Sequence, residues 1–174
     1  MSKQETYVGD GARDIFVAST QAGQATSTGL STTQTGITLT NPAGSGKTLV
    51  LLQVRGAVSA APAGASALVL AANVNPVAAA VTQTTPLTVR RANLGIAGTG
   101  AGLAASAVTL PAAPVVVRAL QSPVAASSIT PAQVSDDING ALCVAEGCAI
   151  SLSSITTAVT GVWSIVWEEI DAIA

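Results

Sequence analysis

The sequence predicts an all-β fold: a single antiparallel β-sandwich of jelly-roll type over residues 14–174, with about eight strands, preceded by an extended N-terminal arm over residues 1–13. Three observations carry that expectation. Apolar residues alternate with period two in most readable segments, no long stretch has a helical period, and Gly, Pro and Asn punctuate the chain about every ten residues.

The pattern is clearest in Gly36–Val58, GITLTNPAGSGKTLVLLQVRGAV. Ile37 and Leu39 alternate with Thr38 and Thr40, Asn41–Lys47 is turn chemistry, and a second strand follows to close an opening hairpin. Its even positions, Val50, Leu52, Val54, Gly56 and Val58, mark a face expected to be buried throughout. Gly46-Lys47-Thr48 ends like a phosphate-binding loop, but the motif requires glycine where Asn41 stands, and Leu49–Val58 has a strand period where a helix should open. The expectation is a plain turn with Lys47 in solvent.

In chain order, Met1–Gly11 is polar and without period, so residues 1–13 are read as an arm that lies on a neighbouring subunit. Asp14–Thr20 is a first strand, and Gln21–Gln34 a loop or exposed edge strand. Beyond the Ala-Pro-Gly link Ser59–Gly64, Leu68, Leu70, Ala72 and Val74 share one face of a strand that Asn75-Pro76 ends. Residues 77–114 form a long loop with a glycine cluster, Gly95, Gly98, Gly100 and Gly102, and short strand candidates at Leu87–Val89 and Ala107–Leu110. Val115–Leu120 is a strand. Thr130-Pro131 suggests a helical turn or two within Ser128–Asp137. Ala141–Val144, Cys148–Leu152 and Thr160–Glu169 read as a three-stranded meander with a tight turn at Ala145-Glu146-Gly147. Trp163, Ile165 and Trp167 share the buried face of the last strand.

Composition narrows the function. Charged residues are 9% of the chain against about 25% ordinarily. A surface so poor in charge is expected to be covered by other subunits, and a core rich in Ala and Val is expected to be thin and to gain from oligomerisation. The net charge of −2 gives a nucleic-acid backbone nothing to hold. Arg90-Arg91, the only basic pair, reads as a solvated loop or, failing that, a contact for an acidic partner. Met1–Asp14 lacks the character of a secretory leader, and Gly147–Trp167, though uncharged, carries seven Ser and Thr, which opposes a transmembrane helix.

Catalysis has few candidates. There is no histidine and no G-x-S-x-G elbow. Cys143 and Cys148 are expected to be reduced and buried. Glu168-Glu169 reads as a solvated strand end, and Asp136-Asp137 as a pair able at most to assist Ca²⁺ binding. No catalytic, cofactor-binding or metal-binding residue is assigned, and no enzymatic function is expected.

Four segments carry a resemblance: LTNPAGSGKTLVLLQV (Leu39–Val54), LPAAPVVVRAL (Leu110–Leu120), INGALCVAEGCAISL (Ile138–Leu152) and WSIVWEEI (Trp163–Ile170). Together they resemble a group of tailed-bacteriophage virion proteins with an early N-P-x-G-S-G-K turn, a glycine-turned hairpin and a terminal W-E-E. Ala145-Glu146-Gly147 departs from that group, which often has proline before the glycine. The resemblance implies a capsid decoration, or cement, protein. Such a protein would be a homotrimer on the outer head surface bound to the major capsid protein, made in the bacterial cytoplasm, with no nucleic acid or membrane as partner. The alternative is a tail fibre or receptor-binding module using loop 77–114, which lacks the aromatics of a carbohydrate site. A glycan hydrolase would need paired carboxylates across a cleft, for which acids are too few.

Overall fold

The computed structural model describes residues 14–73, 80–124 and 133–172. Among them are thirteen strands: β1 (Ile15–Ser19), β2 (Gln24–Ala25), β3 (Ser27–Thr28), β4 (Thr33–Thr40), β5 (Lys47–Ala60), β6 (Ser66–Asn73), β7 (Thr82–Pro86), β8 (Arg90–Arg91), β9 (Leu103–Thr109), β10 (Val115–Val124), β11 (Gln133–Val144), β12 (Ala149–Ser154) and β13 (Thr160–Asp171). They form two open sheets. The first has the order β11-β5-β13-β1-β8 with β2 added on β13, and the second β10-β6-β12-β4-β9-β7 with β3 beside β12. The all-β antiparallel reading therefore holds, but six- and seven-stranded sheets replace the expected eight-stranded jelly roll. The arm, Val74–Pro76 and Ser128–Pro131 lie outside the described residues.

Two connections differ from their sequence reading for one reason. A strand's alternation shows that one face is buried but not which sheet it joins, because the inner faces of the two sheets have the same pattern. The turn after Thr40 joins β4 in the second sheet to β5 in the first, so it is an arch and not a hairpin. Likewise β11, β12 and β13 alternate between sheets instead of forming a meander. The helical turn expected near Ser128–Asp137 is also overturned where it can be seen: Asp136 and Asp137 pair with Val54 and Gln53 as part of β11.

In β5 the buried apolar residues are Leu49, Leu51 and Val54, not the whole even series. Trp167 pairs with Leu51 but Val166 with Gln53, so Leu52 is an extra residue. Such a bulge reverses the phase of every residue beyond it. A larger irregularity lies on β11, where Asp137 pairs with Gln53 and Leu142 with Leu51, leaving residues 138–141 unmatched. Asn139 and Gly140 adopt φ of 52° and 81° there, a left-handed pair suited to Asn-Gly. The ladder between β10 and β6 is interrupted by three register shifts.

The core lies between the sheets. Phe16, Val54, Trp163, Ile165 and Trp167 from the first sheet meet Ile37, Leu39, Leu68, Leu70, Ile150 and Leu152 from the second. Ala and Val, among them Val54, Val159 and Ala104, belong to the core as expected, but Leu, Ile and Trp supply most of its large side chains, each contributing about 1.5–3 kcal/mol or more on burial. The sequence reading of β13 is upheld, since Trp163, Ile165 and Trp167 are all buried. The Phe16 ring stacks on Trp167 with centroids 6.0 Å apart. Trp163 lies in a slot between glycines: a Cβ on Gly56 would come 2.2 Å from its ring, and one on Gly161 2.8 Å. Its indole N–H donates to the Gln24 carbonyl at 2.7 Å. Gly56→Ala should therefore lower stability by about 1–3 kcal/mol through overpacking, read as a fall in the chemical denaturation midpoint at unchanged m-value.

Candidate functional site

The apparent phosphate-loop ending is a closed structural unit. Gly44 and Gly46, with φ of 75° and 67°, turn their N–H groups toward one point. Glu146, from the β11–β12 turn, occupies it, accepting from Gly44 at 3.1 Å and Gly46 at 2.6 Å. The place a phosphate would take is held by the protein's own carboxylate. Asn41 is fully buried and donates to the carbonyls of Lys47 and Val144 at 2.7 and 2.9 Å. Glycine could not make these bonds, so the residue that breaks the phosphate motif is the one that ties the arch to β11. Lys47 is not free in solvent: its ammonium meets Asp171 at 2.7 Å. That hydrogen bond raises the Lys47 pKa and lowers that of Asp171.

The acidic pairs are separated. Asp136 holds Arg118 through Nε and Nη2, which raises the arginine's pKa and ties β10 to β11 across the open side of the sandwich. Asp137 accepts from Gln53 and lies 3.6 Å from Arg55. Being neighbours on a strand, the two carboxylates face opposite ways. No group of three His, Cys, Asp or Glu suited to a metal occurs among the described residues.

Glu169 corrects the reading of a solvated strand end. It is buried and accepts three N–H groups: Ala101 at 2.8 Å, Gly102 at 2.9 Å and the Trp167 indole at 3.1 Å. The signal was available, because 163, 165, 167 and 169 share one parity. The glycine cluster is its counterpart. Gly100 and Gly102 lie against Glu169, Phe16, Trp167 and Leu49 so closely that a Cβ on either would fall within about 3 Å of them. Glu168, one residue earlier, is on the outer face, in register with Val50 and Ile15. Glu169→Gln replaces one acceptor oxygen by a donor facing donors. It should cost about 1–3 kcal/mol and speed hydrogen exchange at Ala101 and Gly102, measured by denaturation and amide exchange.

The cysteines differ from each other. Cys148 is buried as expected, and burial raises its thiol pKa, whereas Cys143 is exposed on β11. Iodoacetamide at neutral pH should alkylate Cys143 in the native protein and Cys148 only after unfolding, as mapped by peptide mass spectrometry.

Arg90 and Arg91 are likewise not a loop but the edge strand β8, paired with Val17 and Phe16 of β1. Arg91 donates to Asp14 at 2.6 Å and lies over the Phe16 ring, 5.5 Å from its centroid. The strand candidate at Leu87–Val89 falls between β7 and β8, its apolar side chains packed against the core. The following loop exposes Leu94 at 78% and Ile96 at 48%. A second exposed apolar group is on β10, at Val115, Val116 and Val117, of which Val117 borders a cleft of about 250 Å³ lined also by Ala72, Leu142, Cys143 and Ile150. β11 and β8 are the two edges of the first sheet, and β10 adjoins β11. The two apolar groups thus occupy opposite flanks.

No family model, curated protein or solved structure matches the chain. No helix among the described residues is long and apolar enough to cross a membrane.

Proposed function

We propose that the protein is a structural component of a tailed-bacteriophage virion, a decoration (cement) protein that binds the outer head surface and bridges neighbouring capsomers. The observation that carries this reading is the pair of exposed apolar flanks at opposite edges of the sandwich. Contiguous exposed apolar residues favour contact with another protein, and two such faces on one rigid body suit a bridge. The charge-poor composition and the resemblance of the Leu39–Val54 and Trp163–Ile170 segments support the same reading. In mechanism, each flank would bury apolar area at roughly 25 cal/mol per Å², so that expansion of the head would have to expose it again. The major capsid protein is the proposed partner, a homotrimer the proposed form, and residues 1–13 the proposed clasp; no reaction is assigned.

A tail fibre or receptor-binding role is the second reading, favoured by the exposure of Leu94 and Ile96 within the 77–114 stretch. Adding purified protein to heads and tails that lack it, then imaging, separates the two. Density over the head lattice is the expected result, and density at the tail tip would replace it with the second reading. Val116→Asp should reduce head occupancy about tenfold or more while leaving the far-ultraviolet circular dichroism unchanged.

A further inference from the structure

The β8 flank has a polar hollow beside its exposed apolar residues. Val89, Arg90, Arg91 and the loop Leu94–Gly98 line a space of about 170 Å³. That is room enough for a carboxylate head group. The charge in it is only partly used. Arg91 is bonded to Asp14 through Nη2, yet its Nε is buried and has no hydrogen-bond partner among the described residues. Arg90 is exposed and makes no ion pair among the described residues. One net positive charge therefore remains. Gly98 lies against the Arg91 guanidinium, where a Cβ would come 2.5 Å from Nε, and Gly95 has φ of 106°. Gly98 lets the loop pass close beside Arg91, and Gly95 supplies the left-handed turn between the exposed Leu94 and Ile96.

From this geometry we infer that the hollow is a docking site for an acidic side chain of a neighbouring protein, an Asp or Glu flanked by an apolar residue. The carboxylate meets Arg90 at the mouth, and the apolar residue covers Leu94 and Ile96. A single carboxylate matches the one unspent charge, whereas a phosphate dianion would remain half neutralised. The apolar rim favours an anion borne on a protein over a free ion. Arginine suits this role because its planar donors grip a carboxylate in a fixed orientation. The inference gives the chemistry of the contact, and rests on the reading above only for the neighbour's identity.

The test uses the full chain, ¹⁵N-labelled, titrated with the N-acetylated, C-amidated dipeptide Asp-Leu and followed by amide NMR. Saturable shifts confined to residues 90–98 are expected, weakening as salt rises. Arg90→Ala should weaken binding by about tenfold or more, Arg55→Ala should not change it, and the Asn-Leu dipeptide should give no shifts. The inference is overturned by an absence of shifts, by shifts that survive Arg90→Ala, or by an equal response to inorganic phosphate, which would make the hollow a general oxoanion site. Concentration-dependent loss of the same signals without peptide would overturn it in favour of a second copy of the chain. Loading of wild type and Arg90→Glu onto isolated heads is scored separately. Peptide binding without any head loading removes the virion reading and leaves the site standing.

Discussion

The inward face of β13 is the constraint on which the rest of the molecule depends. One strand presents Trp163, Ile165, Trp167 and Glu169 to the same side, and each imposes a demand elsewhere. Trp163 requires glycine at 56 and 161. Trp167 requires Phe16 beside it and an acceptor for its indole N–H. Glu169 supplies that acceptor and, with its second oxygen, holds the loop that leads into β9. A buried carboxylate is costly unless its lone pairs are filled, and here the glycine-rich loop brings two backbone N–H groups close enough to fill them. Composition and topology thus meet at one place, where the loop can be glycine-rich because the acid is there to fasten it.

Charge is scarce, and most of what can be described is spent on fastening. Asp136 and Arg118 hold the open side together, Asp14 and Arg91 fix the far edge, Lys47 and Asp171 close the ends of β5 and β13, and Glu146 secures the arch. These pairs are at most partly buried, so each contributes modestly to stability on its own. Their value is in position: Asp136–Arg118 and Glu146 join segments that the hydrogen-bond ladders leave separate, while Lys47–Asp171 and Asp14–Arg91 clamp the ends of strand pairs already formed. Against that background Arg90, with no such partner among the described residues, stands apart.

Much of the fold was legible in the sequence because alternation reports burial directly. β4, β12 and β13 follow from period two, and β10 from its run of valines, and the three alternating strands supply much of the core. What was hidden is non-local. The bulge at Leu52 changes the phase of β5 without any local sign, since leucine fits either face. The arches at Asn41–Lys47 and Ala145–Gly147 look like hairpins because turn chemistry depends on the turning residues and not on the sheet they lead to. Glu169 is readable from the parity of its strand, but its partners are not, because the N–H groups that make its burial tolerable come from a loop 67–68 residues away. The exposure of Cys143 and the pairing of Arg90-Arg91 depend on which strand lies alongside, which a single sequence does not state. The resemblance to virion proteins rests on turn and strand motifs, so it speaks to architecture before role.

The irregular margins of the two sheets have a consequence for crowded conditions. A straight, unpaired backbone rim invites copies of a chain to zip together into ribbons, and a chain with so few charges has little repulsion to oppose it. The unmatched residues 138–141 on β11 and the repeated slips along β10 break the spacing that such growth requires. Contacts between molecules at these margins are thereby left to side chains and not to continuous backbone pairing.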